Sequence, residues 1–228
     1  MPAPTLLAVS HGTSSADGQR AVAALADAVA ARLPGVPVRL GHVDVQQPDV
    51  AAALAAIEGA VVVVPLLLSA GYHVRVDLRR ALAERADVAL APALGPDPRL
   101  ATVLAERLGP VPPDAEVLLA VAGSSDERAN EDCRTQATML ADRLGRPVAT
   151  GFLAAAEPRL ADAAARLRHP LVSAYLLAPG YFHDVATRDA GGARVSPPLL
   201  LPGDTPAPIV DIVVERYAAE AAALASRV

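Results

Sequence analysis

Strand-like apolar runs alternate with segments of helical period, and the whole order begins again about 109 to 112 residues later. These two observations predict an α/β fold of two tandem-duplicated lobes, each a mainly parallel sheet flanked by helices, with a cleft between them. A third supports them: the run Val61-Val62-Val63-Val64-Pro65-Leu66-Leu67-Leu68 is apolar on both faces, as a central parallel strand must be.

The elements follow in order. Thr5 to Val9 reads as a buried strand. About Gln19 to Leu33 forms a helix with Val22, Leu25, Val29 and Leu33 on one face, closed by Pro34-Gly35. Val36 to Val45 is a second strand, and Asp49 to Glu58 a second helix that starts at Pro48-Asp49 and stops before Gly59. The third strand, from Val61, leads into a loop, Ser69 to His73, and a helix over Val76 to Arg85.

The second copy opens with Glu116 to Ala122, where Leu118-Leu119-Ala120-Val121 echoes Leu6-Leu7-Ala8-Val9 and Gly123-Ser124-Ser125 takes the place of His11-Gly12-Thr13. Glu131 to Leu144 repeats the first helix and Val148 to Phe152 the second strand. Glu157-Pro158 precedes a helix as Gln47-Pro48 does, and Tyr175 to Tyr181 matches Leu66 to Tyr72. The proline-rich connector Gly109-Pro110-Val111-Pro112-Pro113 divides the chain into an amino-terminal lobe, 1–110, and a carboxyl-terminal lobe, 111–228. The tail ends in an Ala-rich helix, Ile209 to about Ser226, that packs on a sheet face.

Composition narrows the function. With 53% hydrophobic and 20% charged residues the 228-residue chain can bury a substantial core. All 20 basic residues are arginine, yet the net charge is −5 and there is no basic run, which argues against nucleic acid as a partner. Cys133 is the single cysteine, so no intramolecular disulfide or thiolate cluster can form. Beside Glu131 and Asp132 its pKa is expected to rise, which suits a small helix residue rather than a nucleophile. Met1-Pro2-Ala3-Pro4 has no basic leader pattern, and the longest apolar run, Ala60 to Leu68, is too short to span a bilayer. A cytoplasmic protein without membrane attachment is expected.

Three metal-capable side chains fall at or just past strand ends of the first copy: His11, Asp44 and His73. In a parallel sheet those ends share one edge, so they can converge on one crevice. Two imidazoles and a carboxylate suit a borderline divalent cation such as Fe²⁺, Co²⁺, Ni²⁺ or Zn²⁺. In the second copy the partner of His11 is read as Gly123 and that of Asp44 as Ala154. A set needed only for folding would recur there. His183 nearly matches His73, shifted by one residue through Phe182, and is placed to face the cleft.

Ser10-His11-Gly12-Thr13, the segment Asp44-Val45-Gln46-Gln47-Pro48, and Leu66 to His73 followed by Asp77-Leu78 resemble the ATP-independent class II tetrapyrrole chelatases of the CbiX/SirB type. The resemblance covers nearly the whole chain. It implies a sirohydrochlorin ferrochelatase or cobaltochelatase, a lyase of sirohaem or cobalamin biosynthesis. Its metal substrate would be Fe²⁺ or Co²⁺, with Ni²⁺ as a further possibility, and ATP would not be used. By that resemblance His11 and His73 bind the metal and take part in its insertion, and Asp44 stands where the family usually has a glutamate.

The implied tetrapyrrole carries eight carboxylates. Gly12, Thr13, Gly71, Tyr72, Arg75 and His183 are the expected contacts, with further backbone amides at Ser14 and Ser15. Arg20, Arg79, Arg80, Arg188 and Arg194 are further candidates to pair with carboxylates. Closure of the lobes is expected to bend the ring, and a monomer suffices because the duplication supplies both walls. Two other readings compete. A histidine phosphatase would need an arginine where Ser10 stands. A metal carrier or tetrapyrrole-binding protein would bind without catalysing insertion.

Overall fold

The computed structural model describes residues 3–69 and 85–226. Its first sheet is built from β1 (Thr5–Ser10), β2 (Val38–His42), β3 (Val61–Pro65) and β4 (Val88–Leu90), in the order β2-β1-β3-β4. The second contains β5 (Glu116–Val121), β6 (Val148–Phe152), β7 (Pro170–Tyr175) and β8 (Arg194–Val195), in the order β6-β5-β7-β8. Every strand pair is parallel. The chain steps to opposite sides of β1 and of β5, which puts a switch point at each sheet's carboxyl edge.

Seven helices are found among the described residues: α1 (Ala16–Arg32), α2 (Val50–Ala55), α3 (Pro98–Leu108), α4 (Glu127–Leu144), α5 (Leu160–Ala165), α6 (Tyr181–Asp189) and α7 (Ala207–Ala225). Helix α1 begins three residues before Gln19 because the Ser15 side chain caps the Gly18 N–H. Helix α4 likewise begins at Glu127 rather than Glu131, capped by Asp126. Strand β2 is half the predicted length: Val43 and Asp44 turn away to bond the carbonyls of Ser10 and His11, and Val45 takes a φ of 67°. Of the predicted helix Val76 to Arg85, only Arg85 lies among the described residues. Its guanidinium bonds the carbonyls of Leu54, Ile57 and Gly59 and holds the end of α2. The chain from Arg85 to the connector, unread in the sequence, forms β4 and α3.

Strand alternation sorts the core. Leu6, Ala8, Val62 and Val64 join Val117, Leu119, Val121, Leu171 and Tyr175 in one central cluster shared by both sheets. Leu7, Val9, Val61 and Val63 face α2 on one outside, and Leu118, Ala120, Val172 and Ala174 face α5 and α6 on the other. The long helices supply the middle of this sandwich, and two of them cross over. Helix α3, which follows the first sheet in the chain, packs on α4 and β7, while α7, which follows the second, packs on α1, β3 and β4. The tail helix therefore meets a sheet face as predicted, but that of the first lobe.

Register also refines the repeat. Leu6 and Val117 head equivalent ladders, as do Val38 and Val148. His11 O accepts from Asp44 N just as Ala122 O accepts from Ala154 N. The counterpart of His11 is thus Ala122 rather than Gly123, and Gly123 is the counterpart of Gly12. The imidazole is still missing from the second lobe.

Candidate functional site

A cavity of about 670 Å³ opens at the carboxyl edges of β1 and β3 and is shared with the second lobe. Ser10, His11, Gly12, Thr13 and Ser14 line it from the first lobe, with Leu66 to Ser69 after β3. Ala122 to Ser124, Tyr175 and the stretch from Leu176 to His183 line it from the second. Its volume is that of a small-molecule site. Val45, Tyr181 and Phe182, the exposed large hydrophobic residues among those described, all belong to its wall. Tyr181 and Phe182 meet edge to face with ring centroids 5.5 Å apart.

His11 is exposed on this wall. Its position is fixed through the backbone, since Asp44 N donates to His11 O at 2.9 Å. Gly12 permits that approach: it has a φ of 95°, and a Cβ there would lie 1.9 Å from Asp44 O. Gly123 is held the same way against Ala154 O, so this glycine serves the fold in both lobes, and in the first Gly12 also lines the cavity. Asp44 is exposed beside His11 but is not among the wall residues. One carboxylate oxygen accepts the Val45 N–H at 2.7 Å; the other has no partner among the described residues. No group of three His, Cys, Asp or Glu close enough to hold a metal occurs among those residues. His73, Gly71, Tyr72 and Arg75 lie outside them, as do Arg79 and Arg80.

Thr13 lines the cavity, but its amide is already committed to Gln46 Oε1 at 2.9 Å and that of Ser15 to Thr13 Oγ1. The three described arginines expected at the cleft are engaged elsewhere. Arg20 pairs with Asp17, Arg188 with Asp189, and Arg194 donates to Leu108 O. None of them is in the cavity wall: local partners hold Arg20 and Arg188 on their helix surfaces, and Arg194 reaches back to the end of α3.

Two polar contacts at the site escape the sequence reading. Ser10 Oγ lies 2.8 Å from Nδ1 of His42, and both are buried. Burial pushes the His42 pKa below its ordinary value and favours the neutral ring, whose Nδ1 shares one hydrogen bond with the hydroxyl. The pair is adjacent in the β1–β2 register, and the second lobe has Val121 and Phe152 there. Across the lobe boundary, the Tyr175 hydroxyl donates to Leu68 O at 2.9 Å, anchoring the segment that leaves β3. Gly95 makes room for this contact; a Cβ there would lie 2.1 Å from the hydroxyl. Cys133 reaches the wall from α4, its thiol pushed up to about 11, by burial first and with Asp132 adding to it, so it is not a nucleophile.

A two-lobed α/β protein with paired parallel sheets and a shared switch-point cavity, with His11 on one wall and His183 on the other, is the class these features define. The chain belongs to the CbiX family, whose model matches residues 5–111 and 116–189. In fold it is similar to SirB from Bacillus subtilis with Fe³⁺, at a TM-score of 0.79 and 19% identity over 98% of this chain and 97% of that one. It is also similar to the sirohydrochlorin chelatase SirB from Bacillus subtilis subspecies spizizenii in complex with cobalt, at 0.74 and 17%, over 96% of each chain. A multi-domain Deinococcus radiodurans protein described as structurally similar to chelatases matches at 0.69 and 22%, over 96% of this chain and 55% of that one. No curated protein matches the chain in sequence. Among the described residues no helix is long and apolar enough to cross a membrane.

Proposed function

We propose that the protein is a sirohydrochlorin chelatase, a lyase that inserts Fe²⁺, with Co²⁺ as the other metal it accepts, on a route to sirohaem or cobalamin. It works without ATP, as a cytoplasmic monomer, residues 1–110 providing the metal-bearing wall and 111–228 the facing one. The observation that carries this reading is His11 on the wall of a switch-point cavity, in a CbiX-family chain whose second lobe has Ala122 at the same position.

Insertion requires that the ion lose water, that two pyrrole N–H bonds break and that the metal be released from the protein. Neutral imidazoles from His11 and His73 hold a borderline cation without the tight grip of thiolates. Asp44 supplies a third donor through the carboxylate oxygen that the Val45 amide leaves open. The apolar lip of Val45, Tyr181 and Phe182 suits the flat face of a macrocycle, and the serine and threonine hydroxyls suit its carboxylate rim. One core joins both sheets and two helices cross between them, which favours a largely preformed cavity over one made by lobe closure.

The test is an anaerobic spectrophotometric assay with sirohydrochlorin and Fe²⁺, Co²⁺ or Ni²⁺. The expected result is metal-dependent conversion of the free-base spectrum, fastest with Fe²⁺, and no hydrolysis of a generic phosphomonoester. Binding of metal and tetrapyrrole with no acceleration of insertion would identify a carrier and overturn the proposal.

A further inference from the structure

We infer that His183, on the second lobe's wall, accepts pyrrole protons while the metal is held from the first lobe's side, where His11 lies; this rests on the chelatase reading. His183 sits in the first turn of α6, lines the cavity and is half-buried. Its Nε2 lies 3.1 Å from Ser196 O. A carbonyl only accepts, so Nε2 carries the proton and Nδ1 of the neutral ring is left with the lone pair. Among the described residues nothing donates to that nitrogen.

The carbonyl that sets this tautomer is itself held firmly. Ser196 is fully buried, its N–H donates to Val172 O at 2.8 Å, and its hydroxyl accepts from Ala174 N at 3.0 Å and donates to Pro197 O. Buried backbone of the second sheet therefore orients the ring, as an outer hydrogen-bond partner orients a working histidine. The nitrogen so left free belongs to a ring that lines the cavity.

In the step assigned to His183, a pyrrole N–H breaks and its electron pair stays on nitrogen to bond the entering metal. The proton joins Nδ1 and makes an imidazolium, whose Nε2–H bonds the Ser196 carbonyl more strongly. Water at the cavity mouth then takes the proton, and the restored ring accepts the second. The balance is one M²⁺ taken up for two H⁺ released, with no oxidant or reductant. Delivering the metal from one lobe and removing protons at the other keeps two cationic events apart.

His183→Gln tests the assignment, because the glutamine amide can still donate to Ser196 O but cannot accept a proton. The expected outcome is a fall of about 10²-fold in kcat for Fe²⁺ insertion, with a much smaller change in KM for sirohydrochlorin and the melting temperature unchanged. In His183→Ala, added imidazole should restore part of the lost rate. A wild-type rate in His183→Gln, or a loss in His183→Ala that imidazole leaves untouched, would overturn the inference alone. Wild-type protein that inserts no metal would overturn the chelatase reading with it.

Discussion

Ser10 and His42 form a buried polar pair where the sister lobe has Val121 and Phe152, which lets one lobe serve as the control for the other. Ser10→Val alone leaves a buried imidazole nitrogen unpaired and should cost about 1–3 kcal/mol. Ser10→Val with His42→Phe replaces both partners by the sister lobe's apolar pair and should recover most of that loss, as urea denaturation of the single and double variants will show. The histidine also sets a pH dependence. Burial lowers its folded pKa below the ordinary 6.5, so the unfolded chain takes up a proton that the folded one refuses. Stability present above that pH should fall as the pH drops below it, and His42→Phe should remove this component from a Tm-against-pH curve. His11 was legible in the sequence because it follows an apolar strand directly. His42 was not, because it lay inside a segment read as one long strand and only the β1–β2 register pairs it with Ser10.

At the scale of elements, two close contacts hold the cavity's first-lobe edge. Gly12→Ala would force a Cβ against Asp44 O at a φ of 95°, and should cost about 1–3 kcal/mol while displacing His11 and slowing insertion. Gly123→Ala meets the same clash in the second lobe and should cost similar stability with less effect on rate. Tyr175→Phe should cost about 1 kcal/mol by freeing the Leu68 carbonyl, measured by denaturation, and the insertion assay should show a slower enzyme. The central strands, α1 and α7 were legible from their apolar period, while the Ser15 cap moves the start of α1 three residues ahead of that pattern. Strands β4 and β8 span three and two residues, too few to show a period. A sequence does not show which cations already have a partner nearby, as Arg20, Arg188 and Arg194 do.

The whole molecule is less divisible than its repeat. The duplication marks a boundary at the proline-rich connector, but α3 packs on the second sheet and α7 on the first, around one shared cluster. A fragment of residues 1–110 would expose the faces of β3 and β4 that α7 covers, and should be unfolded or aggregated by circular dichroism and light scattering. Adding 111–228 should restore a folded, active pair. This exchange was invisible in the sequence because the copies match strand for strand, while the destination of a helix depends on packing partners far along the chain. It also fixes the cavity between walls of different chemistry, with His11 on one and Ala122 opposite in the repeat. The most direct test of that asymmetry is the rate of Fe²⁺ insertion into sirohydrochlorin by His11→Ala beside the wild type, under anaerobic conditions. A fall of at least about 10²-fold with the circular dichroism spectrum and melting temperature preserved is the predicted result. Retention of most of the wild-type rate would contradict the account.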